Sequence, residues 1–123
     1  SGGELSRIML VLKKVLRDSS GVDVLVFDEV DTGVSGSVAR SVGEKLKQLS
    51  AGSQVVCITH LAQVASFADR HFLVEKVVGD RTTSVIRPLL DEERIEEIAR
   101  MLAGYKITAA SRESARELLT SNH

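Results

Sequence analysis

The chain has no tryptophan, one tyrosine and three phenylalanines in 123 residues, which argues against a base-stacking platform for single-stranded nucleic acid. A lone cysteine, Cys57, excludes an intrachain disulfide and suits a reducing compartment; set in the run Val55-Val56-Cys57-Ile58, it reads as a small buried hydrophobe. No apolar run approaches the roughly 20 residues of a membrane span, and no secretory leader is visible, so the protein is expected in the cytoplasm with no membrane partner. Charge of one sign is lacking too. A net charge of −1 gives no bulk attraction to nucleic acid or to a membrane surface. The most informative absence is chemical. Nowhere does G-x-x-x-x-G-K-[ST] occur, so the chain by itself cannot cradle a triphosphate in the usual phosphate loop.

What is present is enough for one folded domain: 43% hydrophobic residues can fill a core at this length. From Glu4 to Arg17, the apolar residues Leu5, Ile8, Met9, Leu12, Val15 and Leu16 recur at helical spacing, with Lys13, Lys14 and Arg17 in the last turn. Val22 to Phe27 is short and apolar on both faces, as in a strand buried within a parallel sheet. A Gly-rich turn, Asp31 to Gly36, leads to a second helix with Val38, Val42, Leu46 and Leu49 on one face. Ser53 to Thr59 is a second buried strand, and Leu61 to Phe67 a short helix. His71 to Val78 and Thr82 to Leu89 flank Gly79-Asp80-Arg81 as a β-hairpin, with Pro88 near its end, where a missing N–H does least harm. Asp91 to Leu102 reads as an acidic amphipathic helix, Asp91 its N-cap and Gly104 its stop; Ile95, Ile98, Ala99 and Leu102 oppose Glu92, Glu93, Glu96 and Glu97. Thr108 to Leu119 repeats the pattern more weakly. The fold class is therefore α/β: parallel strands flanked by helices, then a hairpin and C-terminal helices.

Three features bear on chemistry. Ser1-Gly2-Gly3 opens directly into a helix, whose N-terminus offers unpaired N–H groups to an anion, while glycines permit close backbone approach; the same residues also suit an ordinary capping box of Ser1 with Glu4. Asp28 and Glu29 end an apolar strand, and adjacent carboxylates there call for a ligand or a solvent-exposed edge. Phosphoryl transfer to water needs a metal at the phosphates and a group that orients the water; Asp28 suits Mg²⁺, through a coordinated water, and Glu29 suits the base. His60 follows the second strand, where parallel geometry brings it to the same sheet edge, either to hold a γ-phosphate or simply to face solvent. Asp31 fits a helix cap or a contact across a dimer interface. Lys13, Lys14 and Arg17 are explained by the helix dipole as well as by DNA, and Arg40, Lys45 and Lys47 by a solvated helix face.

In this order, Ser1-Gly2-Gly3-Glu4, the strand ending in Asp28-Glu29, and His60 resemble the C-terminal lobe of an ATP-binding-cassette (ABC) ATPase head. Val30-Asp31 after the acids, where transporter cassettes usually have proline, resembles the chromosome-maintenance (SMC) branch. Thr32-Gly33-Val34-Ser35-Gly36, Cys57-Ile58-Thr59-His60-Leu61-Ala62-Gln63-Val64-Ala65 and Arg94 to Gly104 are similar to the RecN family of bacterial DNA repair ATPases, with Ala62 departing from that family's common proline. The resemblance implies that Ser1, Gly2 and Gly3 are the signature motif, Asp28 and Glu29 the Walker B pair, Asp31 the D-loop acid and His60 the switch histidine, serving ATP and Mg²⁺. It implies that residues 1–123 are the C-terminal half of a head, a piece of a longer protein whose Walker A lobe and coiled coil lie elsewhere. It implies homodimerisation of two heads around ATP, action on double-stranded DNA and its ends in recombinational repair, and a nucleoid-associated cytoplasmic location. On this reading the isolated piece lacks ATPase activity. Another SMC-type chromosome-organising ATPase would share the catalytic residues but not the Thr32 to Gly36 turn; a transporter cassette fits Val30-Asp31 poorly.

Overall fold

The computed structural model describes residues 24–28, 33–34, 36–104 and 106–123. Among them the order is β1 (Val24–Asp28), α1 (Gly36–Leu49), β2 (Gln54–Ile58), α2 (Ala62–Ala65), β3 (Phe72–Val77), β4 (Thr83–Pro88), α3 (Asp91–Ala103) and α4 (Ala109–Ser121). The expected helix from Glu4 to Arg17 lies outside the described residues.

β1 and β2 pair in parallel, with Val24 opposite Gln54 and Asp28 opposite Ile58. α1 is the crossover that parallel pairing requires, and its apolar stripe supplies one wall of the core: Ala39, Val42, Leu46 and Leu49 are buried with Leu25 and Phe27 of β1. Cys57 is half-buried and packs against this cluster. The strands are not buried on both faces, which corrects the sequence expectation. Leu25 and Phe27 point inward, whereas Val24 and Val26 are 50% and 55% exposed, and Val56 and Ile58 on β2 are 44% and 56% exposed. Inward and outward residues alternate as in any strand with one covered face, so the continuous apolar run here marks a face that these residues leave uncovered.

β3 and β4 form an antiparallel hairpin in which Phe72 pairs with Pro88 and Val77 with Thr83. Pro88 is the last residue of its strand, as expected for a residue with no donor. A second cluster joins α2 to the C-terminal helices through Ala62, Ala65, Ile98, Ala99 and Ala115. Asp91 is the first residue of α3 rather than its cap; Leu90 occupies the cap position, and its N–H donates to Glu93 Oε1 at 3.4 Å. Glu97, assigned by periodicity to the solvent face, is 8% exposed. It is held there by a bidentate pair with Arg100, whose Nε donates to Glu97 Oε2 at 2.8 Å and whose Nη2 reaches Oε1. Gly104 closes α3 with φ 78°, its N–H donating to Arg100 O at 2.8 Å, the left-handed geometry that favours glycine. At the start of α4, Thr108 Oγ1 accepts from Ser111 N–H at 3.1 Å and Ser111 Oγ accepts from Thr108 N–H at 2.8 Å, a reciprocal cap.

Candidate functional site at the carboxyl edge of the parallel pair

Parallel pairing fixes where the strand-end residues meet. Asp28 is the last residue of β1 and lies opposite Ile58, the last residue of β2, so His60 comes two residues beyond that register at the same carboxyl edge. Asp28 and His60 are both exposed. The chain leaves β2 through a side-chain turn: Thr59 Oγ1 accepts from Leu61 N–H at 3.0 Å, which encloses His60 between strand and helix. On the other side, Gly33 and Gly36 have φ 73° and 55°, conformations that side chains rarely adopt. They let the chain turn from β1 into α1, and Val34 between them is buried in the core beside Phe27. Carboxyl edges of parallel strands are where α/β folds gather ligands.

Of the residues singled out from sequence, Asp28 and His60 thus share one edge. Ser1, Gly2, Gly3, Glu29 and Asp31 lie outside the described residues. Asp28 offers hard oxygen donors that suit Mg²⁺, and the described residues contain no group of three or more possible metal ligands. A shallow depression lies elsewhere, between the hairpin and α3. It measures about 310 Å³, is lined by residues including Leu73, Arg87, Leu89, Glu93 and Ile107, and its charges serve the scaffold: Arg87 donates to Glu93 Oε2 at 2.6 Å and to Glu75 Oε2 at 3.3 Å. Those bonds hold the Glu93 carboxyl below, and the Arg87 guanidinium above, their ordinary ranges.

Sequence reasoning missed the polar residues that anchor the loop after His60. Arg94 of α3 donates through Nη2 to the carbonyls of Ala65 (3.3 Å) and Ala68 (2.7 Å). Asn122 donates to the buried Ser66 hydroxyl at 2.6 Å and accepts from Arg40 at 3.2 Å. The only prior signal was polarity in an otherwise helical tail, which does not name a partner.

No protein-family model matches the chain. A solved structure from work on the ATP-driven dimerisation and DNA-stimulated activation of SMC ATPases superposes with a TM-score of 0.66 at 20% identity, over 86% of this chain and 64% of that one. The fold is that of an SMC-type ATPase head, in the α/β form expected of its C-terminal lobe. By sequence the chain is RecN-like. It is 55% identical over 120 residues to the DNA repair protein RecN of Halalkalibacterium halodurans and 50% identical over 120 residues to that of Bacillus subtilis. It is 52% identical over 122 residues to that of Deinococcus radiodurans. Each match takes in 97% of this chain and 21% of the relative, so the chain spans about a fifth of the length of the RecN proteins it matches.

Proposed function

We propose that this chain is the C-terminal half of an ABC-type ATPase head, and that the protein it belongs to binds and hydrolyses ATP in the recombinational repair of DNA double-strand breaks. The observation that carries the reading is the register that brings Asp28 and His60 to one carboxyl edge, supported by RecN likeness along 97% of the chain. Asp28 is the residue that would hold Mg²⁺, through a coordinated water. Glu29, the next residue, orients and deprotonates the attacking water, and His60 hydrogen-bonds the γ-phosphate and that water. Bound Mg²⁺ would neutralise phosphate charge. Ser1, Gly2 and Gly3 present backbone N–H groups to the nucleotide of a second head, and Asp31 lies at the junction between heads.

The partners follow from what the chain lacks. Without a phosphate loop, it takes its Walker A from the N-terminal lobe of the same protein, and the uncovered apolar face of Val24, Val26, Val56 and Ile58 gives that lobe a surface to cover. Two heads joined through ATP form a homodimer that hydrolysis releases, ATP acting through its preference for the joined state. The substrate of the whole machine is double-stranded DNA and its ends, in the cytoplasm at the nucleoid. Among the described residues no helix is long and apolar enough to cross a membrane.

Glu29→Gln in the intact protein should preserve ATP binding and lower turnover by at least ~100-fold, the scale of a positioned base; near-wild-type turnover removes Glu29 from the mechanism. Steady-state hydrolysis with linear or covalently closed duplex tests the repair role. Stimulation favouring linear DNA supports it, and indifference to DNA argues against it.

A further inference from the structure

His60 is followed by a helix of four residues, Ala62–Ala65, too short to hold its own position. Its surroundings hold it from three directions. α1 presses on it through Gly43: a β-carbon there would come within 2.7 Å of Phe67 Cε2 and closer still to Cδ2. α3 contributes Arg94, whose guanidinium closes the carbonyl end of α2 at Ala65 and Ala68. The third anchor is Asn122, just beyond α4. Its Nδ2 donates at 2.6 Å to the hydroxyl of Ser66, which is 0% exposed and itself donates to Gln63 O at 3.2 Å. Its Oδ1 accepts at 3.2 Å from Arg40 Nη1 of α1, and the Arg40 guanidinium lies 5.7 Å from the centre of the Phe67 ring.

Asn122 is itself only 8% exposed, and its two hydrogen bonds join the helix after His60 to the helix that follows the Asp28 turn. The Asn122–Ser66 link is buried, so sliding the helix after His60 against the end of α4 leaves both groups unpaired in a low-dielectric setting, while the link to Arg40 runs out to the exposed face of α1. We propose that Asn122 is a positioning residue for the nucleotide site: through Ser66 and Arg40 it sets the placement of His60 against the Asp28 edge. This rests on the role given to His60 under Proposed function.

The test is a double-mutant cycle in the full-length protein, with kcat and KM for ATP measured well below the melting temperature. Asn122→Ala should lower kcat by about tenfold, within the 100-fold that a 1 Å misplacement can cost, and leave KM within about twofold. Ser66→Ala, which removes the other partner of the same hydrogen bond, should reproduce the effect. In a His60→Ala background Asn122→Ala should have no further effect on kcat, since residues acting through one group are not additive. An equal loss in both backgrounds, or a lowered melting temperature with kcat of the folded protein intact, overturns the proposal. A wild-type kcat in His60→Ala alone instead refutes the role of His60. The ring signals of isotopically labelled histidine then decide the positioning by themselves: Asn122→Ala should move the His60 signal, and an unmoved signal overturns it.

Discussion

Gly43 sets two opposing effects against each other. It sits inside α1, where glycine costs roughly 1 kcal/mol relative to alanine, so Gly43→Ala in an open helix would stabilise the fold by about that amount. Here the added methyl meets the Phe67 ring at Cδ2 and Cε2 and the backbone carbonyl of Gln63 at 3.2 Å. Phe67 is 8% exposed and has Arg40 over its face, so the ring has little room to retreat. Overpacking of this kind costs about 1–3 kcal/mol and outweighs the propensity gain. Set against the gain of about 1 kcal/mol, the expected net change is a loss of up to about 2 kcal/mol, a fall of up to roughly 8 °C in melting temperature for a chain of this size. Urea unfolding of the 123-residue chain followed by far-UV circular dichroism measures it. Phe67→Ala in the same molecule removes both ring carbons that clash, so adding Gly43→Ala to it should no longer destabilise and should recover up to about 1 kcal/mol of helix propensity. A Gly43→Ala chain more stable than wild type, or strict additivity in the double variant, would refute the close-packing account of the α1–α2 crossing.

Burial, reinforced by the nearby Arg94 cation and opposed by Glu97, holds the His71 imidazole below its ordinary 6.5. The unfolded chain therefore takes up that proton first: stability is full above about pH 6.5 and declines as pH falls toward the folded-state value. His71→Gln should flatten the pH dependence between about 7 and 5, and an unchanged slope in urea titrations would count against this. Ile98→Ala, at a site with 0% exposure, should cost about 2–5 kcal/mol in the same unfolding assay. Thr108→Ala strips the acceptor from the Ser111 N–H and should cost about 1 kcal/mol, seen as an equivalent drop in unfolding free energy.

Elements whose determinants are local were legible before any coordinates. The α1 stripe of Val42, Leu46 and Leu49 is buried as its spacing requires, and the hairpin bounds follow the turn residues to within one or two positions. Legibility failed where a partner decides the outcome. Val24-Leu25-Val26-Phe27 reads as buried on both faces because apolarity records what a strand tolerates, not what covers it. Glu97 reads as solvent-facing because periodicity cannot register Arg100, three residues on, whose fork satisfies the carboxylate and allows its burial. Asp91 reads as a cap because it precedes the apolar stripe, yet as the first residue of α3 it complements the helix dipole from inside the first turn.

The candidate site divides along the same line. Asp28 and His60 were traceable to one edge because each ends or follows a strand, and parallel pairing converts that local fact into proximity. Asn122 was not, because its bonds to Ser66 and Arg40 cross 56 and 82 residues of sequence and leave no periodic trace. A parallel pair two strands wide has little stability of its own, and one face of this pair stands open at Val24, Val26, Val56 and Ile58. The edge that carries Asp28 and His60 is therefore braced from below by α1, α2 and the α4 terminus, while its upper face depends on whatever covers it. On the proposed reading that cover is the lobe bearing the phosphate loop. The surface that would complete the sheet would then also bring the triphosphate, so strand order and nucleotide binding would be established by a single docking event.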